Sequence, residues 1–294
     1  MNPLPKVVTL YSFKGGAGRT VCAANLAGMI VSQMAERARG PLLLLDLDLD
    51  SAGLTMMLGQ YKIMLETESP WNTARLVSGD LDLGIVNVHD RFFAEGLVDV
   101  SIQVGMPPKS VLFLGAQVIA HDSADVKLTG LERLSDFLGY CKQAGIGTVV
   151  IDSASGRQDI ARVCHHVSDV IVYCCRLTDQ FMYGTQYQVD YFIKQALERQ
   201  GAAPDIILLP MAVPKVTPQW KGRYDAAMLR LQTICSKHPK VRLFVDSGIC
   251  EVESFKWQEE ILSVKKRISD DQSSALGSFR RVAEKIVCLW VDSD

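Results

Sequence analysis

Apolar residues fall along this chain in short unbroken runs, at 7–11, 42–45, 111–114, 148–151, 170–175, 206–209 and 241–245. A strand covered on both faces must be apolar on both, because successive side chains point to opposite sides of the sheet. Between the runs lie stretches long enough for helices, read at 20–38, 131–144, 185–200, 226–237 and 274–289, with Gly40 and Gly201 close to helix ends. Strands joined by helical crossovers form right-handed units and hence a parallel sheet. The pattern therefore predicts an α/β fold, a doubly wound, mostly parallel sheet flanked by helices. The first helix is rich in small residues, Ala23, Ala24, Ala27 and Gly28, which let it pack closely on the sheet.

The stretch 59–109 breaks this rhythm with Pro70, Trp71, Gly79, Gly84, Gly96, Pro107 and Pro108. It reads as a helical and irregular elaboration with an extra edge strand near 85–88. No internal repeat, low-complexity tract or linker marks a boundary, so residues 1–294 are expected to form one domain.

Composition adds mostly exclusions. Of the 294 residues 48% are apolar and 22% charged, enough for a sizeable core, and the formal net charge of -2 supplies no global attraction to nucleic acid or anionic lipid. No apolar run reaches the roughly 18 residues of a membrane-spanning helix, and residues 1–6 lead into a strand without a signal-peptide pattern, so a cytoplasmic location is expected. The eight cysteines are scattered without a C-x-x-C pair, which suits buried reduced thiols.

The candidate chemistry begins where the first apolar run ends, at Lys14, Gly15, Gly16, Ala17, Gly18, Arg19 and Thr20. A glycine-rich turn between a strand and a small-residue helix places backbone N–H groups and a helix N-terminus around an anion. The strict pattern G-x-x-x-x-G-K-[ST] fails twice, with Phe13 at its first glycine and Arg19 at its lysine. KGGAGRT instead resembles the deviant Walker A loop of the MinD/ParA family of P-loop ATPases. That resemblance implies that ATP and Mg²⁺ bind here, that the Thr20 hydroxyl ligates magnesium, and that Lys14 reaches the phosphates of a partner subunit in an ATP-dependent homodimer. Arg19 can replace a lysine as a bidentate phosphate ligand, although it is bulkier.

Two acidic corners follow. The run 42–45 ends in Asp46, Asp48 and Asp50, and the run 148–151 ends in Asp152 with Gly156 behind it. Carboxylates at the C-terminal ends of strands lie on the edge where open α/β sheets bind ligands. By resemblance, Asp46 belongs to the magnesium surroundings, Asp48 orients the attacking water, Asp152 holds magnesium through water and Gly156 senses the γ-phosphate. Asp50 is read as a solvated loop acid. Base contacts fall to backbone near Met211 and Val213, with the loop 245–248 nearby, because the family's base-reading asparagine is missing after 206–209.

Other constellations are set aside. Cys164, His165 and His166 are consecutive on a helix and cannot converge on one metal. Lys265, Lys266, Arg267, Arg280, Arg281 and Lys285 are interleaved with acids, so a mixed solvated surface is favoured over a DNA-facing patch. The amphipathic run 279–291 is expected to pack as the last helix rather than target a membrane. The chain thus reads as a slowly hydrolysing ATP switch that dimerises and controls an unidentified protein partner. The rival reading is a non-hydrolysing nucleotide-binding scaffold.

Overall fold

The protein is described from a computed structural model, which covers residues 4–34, 40–60, 71–81, 83–84, 86–116, 129–156, 159–200, 203–244, 248–256 and 259–291. Its strands are β1 (Lys6–Tyr11), β2 (Leu42–Leu47), β3 (Val98–Asp99), β4 (Val111–Leu114), β5 (Thr148–Ser153), β6 (Val170–Cys175), β7 (Asp205–Pro210) and β8 (Val241–Leu243). They form one sheet in the order β3-β4-β2-β5-β1-β6-β7-β8. All neighbours are parallel except β3 and β4. The sheet is covered on both sides, as the unbroken apolar runs require. Leu42 and Leu44 enter one core with Val8, Leu10 and Val150, whereas Leu43, Leu45 and Leu47 enter the other with Val7, Val149 and Ile151.

The helices are α1 (Arg19–Met34), α2 (Gly53–Met57), α3 (Thr73–Ser78), α4 (Val86–Arg91), α5 (Thr129–Gln143), α6 (Asp159–Val167), α7 (Asp179–Gln200), α8 (Lys221–Lys237) and α9 (Asp270–Val291). Residues 35–38 of the first expected helix, Gly201 and Val245 lie outside the described residues. Helices α7 and α9 start well before the expected positions, on polar first turns carrying Asp179 and Asp270 with Asp271. Acidic side chains there stabilise the N-terminal end of a helix, a contribution that apolar periodicity does not register.

The elaboration differs from expectation in one element. Residues Val86–Arg91 are helical rather than an edge strand, and Ile85 lies outside the described residues. Val88 and Phe92, four apart, pack into the same core, which is helical spacing. The edge is instead the two-residue β3, antiparallel to β4. It stops because the Asp99 carboxylate accepts from the N–H and hydroxyl of Ser101 and from the N–H of Lys109, turning the chain.

Helix α1 is buried on almost every side, between the sheet and α9. Phe279, Val282, Ala283, Ile286 and Trp290 of α9 are all buried in that core. Among the described residues no helix is long and apolar enough to cross a membrane. Gly28 serves a contact other than the one its small size suggests. A Cβ there would lie 2.4 Å from the Val104 carbonyl oxygen, so the close approach is to the elaboration and not to the sheet. Gly28→Ala is expected to destabilise by about 1–3 kcal/mol, because the obstacle is backbone and cannot rotate away. A chemical-denaturation midpoint indistinguishable from wild type would contradict this.

Candidate functional site

The loop 14–20 leaves β1 and enters α1 at the carboxyl edge of the sheet. Gly16 and Gly18 have φ of +77° and +85°, in the left-handed region that a side chain disfavours. Ser12 Oγ donates to the Lys14 carbonyl at 2.8 Å, and the Cys22 N–H donates to the Gly18 carbonyl at 3.0 Å, starting the helix. The first N–H groups of α1 have no acceptor within the helix and are ready donors to an anion. Arg176, just past β6, braces the loop by donating from Nε to the Gly16 carbonyl at 2.8 Å. Lys14 projects into solvent, its Nζ 3.2 Å from Gln180 Oε1 in the first turn of α7.

Strand register brings the acidic corners together. Asp46 and Asp152 are direct partners across β2 and β5, and both are fully buried. Asp46 is well provided for: Oδ2 accepts from the N–H and hydroxyl of Thr55 at 2.9 and 2.8 Å, and Oδ1 accepts from the Asp48 N–H at 3.2 Å. Burial still outweighs those bonds and lifts its pKa to about 6, with the Asp48 charge adding to the rise. Asp152 is provided for poorly. The Thr20 side chain approaches as a hydrogen-bond donor that favours its charge, but the contact does not reach hydrogen-bond geometry, and neither carboxylate oxygen has a well-formed partner among the described residues. Burial, opposed by Arg19 and reinforced by Asp46 and Asp48, raises its pKa to about 7. A hard divalent cation takes oxygen ligands and removes such a penalty, so Thr20, Asp46 and Asp152 form a fitting surround for one.

Arg19 is not an exposed cation above the loop. Its Nη2 donates to Asp48 Oδ2 at 2.9 Å, and Nη1 donates to the Ser153 carbonyl oxygen. Both side chains of the ion pair are nearly buried, at 7% and 11% exposure. Gly156, at φ +76°, is tied to the end of β1: its N–H donates to the Ser12 carbonyl at 3.1 Å, and its carbonyl accepts from the Tyr11 hydroxyl.

Beside the loop opens a cavity of about 330 Å³, floored by Gly16, Gly18 and Met211 and walled by Ile249, Val252 and Phe255. Its size and mostly apolar wall suit a heteroaromatic ring. Met211 is buried and donates its N–H to the Cys175 carbonyl at 2.7 Å, which anchors it at the base of this cavity. Gly248 adjoins Pro210 on the far side, while residues 245–247 lie outside the described residues. Sequence reasoning missed Arg176, Gln180, Thr55 and Asn25. The last is buried in α1, accepts from the Leu262 N–H at 2.8 Å and donates to the Glu260 carbonyl at 3.0 Å, fixing the segment that borders the cavity. None of these residues belongs to a local motif.

The overall fold is shared with solved structures at low sequence identity. The ATP complex of an McdA variant from Cyanothece superposes with a TM-score of 0.64 at 16% identity, covering 97% of this chain and 97% of that one. The fold is that of the MinD/ParA-type P-loop ATPases. A MinD from Pyrococcus horikoshii, complexed with Mg-ADP, matches the MinD/ParA-type fold here at TM-score 0.60 and 17% identity, with 96% of each chain covered. A putative plasmid partition protein from Borrelia burgdorferi bound to AMPPNP matches it at 0.61 and 14%, over 99% of this chain and 100% of that one. No protein-family model matches the chain, and no curated protein matches it in sequence.

The residues set aside within this MinD/ParA-type fold are accounted for by core packing or a surface ion pair. His165 is buried edge-on between Tyr11 and Phe192, with ring centroids 4.3 and 4.0 Å away, and burial drops its pKa to about 3. Cys164, also buried, has its thiol pushed up by burial. Lys265 is paired with Glu260 at 2.6 Å.

Proposed function

We propose that this chain is a single-domain, ATP-binding molecular switch of the cytoplasm that dimerises with ATP, hydrolyses it slowly and thereby controls a partner protein. The observation that carries the reading is the orphaned Asp152 carboxylate, buried next to Asp46 and Thr20 at the foot of the glycine loop. A folded protein has no structural reason to keep a buried carboxylate without partners, whereas a cation site does. Likeness of fold to ATP-bound and Mg-ADP-bound proteins supports the same choice of ligand.

In this reading the N–H groups of residues 15–20 cradle the phosphates, and the cavity over Met211 takes the base. Thr20 would ligate Mg²⁺ directly and Asp152 through water, with Asp46 completing the negative surround. Bound there, the ion would neutralise charge on the transferring phosphoryl group. Asp48 orients the attacking water, Gly156 follows the γ-phosphate through its backbone, and exposed Lys14 reaches the phosphates held by the second subunit. A switch of this kind works because the γ-phosphate orders two loops and hydrolysis releases them.

Mass measurement in solution with Mg-ATP is expected to show dimers that Lys14→Ala abolishes. Phosphate release is expected to fall about 100-fold or more in Asp48→Ala, the scale of loss for a positioned proton acceptor. Dimers that persist without the lysine would remove its cross-subunit role. Wild-type release no faster than Asp48→Ala would instead favour the non-hydrolysing scaffold, a reading that gains support from the engagement of Asp48 with Arg19.

A further inference from the structure

Arg19 has two partners at the ends of different strands. Asp48 follows β2, while Ser153 ends β5, its neighbour in the sheet. One planar guanidinium therefore clips together the two acidic corners on either side of the Asp46 and Asp152 pair. A lysine ammonium is a single compact charge and lacks the fork that spans two divergent acceptors. Resting on the nucleotide reading above, we propose that Arg19 is a positioning residue that couples the two corners, and that nucleotide phosphate and Asp48 compete for its guanidinium.

The competition follows from charge and burial. Asp48 is close to both other carboxylates, and its charge helps raise the pKa of each, while Arg19 is the cation that pairs with Asp48 and opposes the rise at Asp152. Phosphate oxygens arriving at the loop present the guanidinium with a second bidentate anion. Moving Arg19 toward them frees Asp48 Oδ2 to accept from water and frees the Ser153 carbonyl at the same time. Both corners are thus released by one event, and Asp48 becomes available to the reaction only when phosphate is in place. The cost of breaking a nearly buried ion pair then appears as weakened nucleotide affinity.

The test is a double-mutant cycle on Mg-ATP affinity, read with a fluorescent ATP analogue, across wild type, Asp48→Asn, Arg19→Lys and the double variant. Competition predicts that Asp48→Asn tightens binding about tenfold when Arg19 is present and less than about threefold beside Arg19→Lys, a coupling within the range for linked sites. In the same variant kcat falls while KM falls, a split that a purely structural role for the pair would not produce. Equal tightening in both backgrounds would mean that Asp48 acts only as a repelling charge, and it overturns the coupling while leaving the nucleotide site intact. Failure of every protein, wild type included, to bind the analogue overturns the nucleotide site and the coupling with it. Hydrogen exchange on nucleotide-free Arg19→Lys gives a second measure. Faster exchange at both 48–52 and 153–156 supports the clip; unchanged protection at both corners overturns it.

Discussion

Asp152→Asn is expected to raise the Tm of the nucleotide-free protein at pH 8 while abolishing its stabilisation by Mg-ATP. The carboxylate is fully buried, unpartnered among the described residues and lifted to a pKa of about 7. A group whose folded pKa lies above its unfolded value near 3.9 stabilises fully below that value, and its contribution is lost as pH rises through the folded pKa. With a folded pKa of about 7, holding Asp152 ionised above neutrality costs on the order of 4 kcal/mol. An amide of the same shape avoids the charge but still needs partners, so a gain of about 2 kcal/mol, or roughly 5 °C in Tm, is the expected size. The measurement is a melting curve with and without Mg-ATP. A lower Tm for the free variant would show that Asp152 stabilises the fold, and retained stabilisation by Mg-ATP would remove it from the cation site.

His165→Leu is expected to change stability in acid. The ring is sealed between Tyr11 and Phe192, and its pKa of about 3 reflects the cost of charging it there. Here the sign is reversed: the unfolded chain takes up a proton near pH 6.5 and the folded one does not, so stability is lost as pH falls from about 6.5 toward 3. That single group carries on the order of 4–5 kcal/mol across the window, from the distance between 6.5 and about 3. The two residues oppose each other between about pH 4 and 6.5, where Asp152 loses and His165 gains stability with rising pH. Denaturant midpoints across that range should therefore fall more steeply with pH in His165→Leu than in wild type, and rise more steeply in Asp152→Asn. Parallel profiles for all three proteins would contradict both assignments.

Much of the site was legible because its parts are local. The turn at 14–20, the acids ending β2 and β5, and Gly156 each sit next to the apolar run that positions them. The neighbours that decide how those parts behave were not legible. Arg19 meets Asp48 and Ser153 across 29 and 134 residues, and Arg176 meets Gly16 across 160. No spacing rule records such contacts, which exist only after strand order has been chosen. The same limit explains the edge strand, since Val88 is committed by packing into a core beside Phe92, whereas 98–99 are committed by pairing with β4, and β propensity does not distinguish the two.

The sequence by itself determined the α/β layering, the glycine-rich turn between β1 and α1 and the placing of acids at strand ends, because apolar runs, glycines and chain order act over a few residues each. The tertiary structure alone decided that Asp46 is satisfied by Thr55 while Asp152 has no well-formed partner among the described residues, and that Arg19 faces Asp48. Burial and pairing are properties of residues distant in the chain, and they govern the charge of each group in the site.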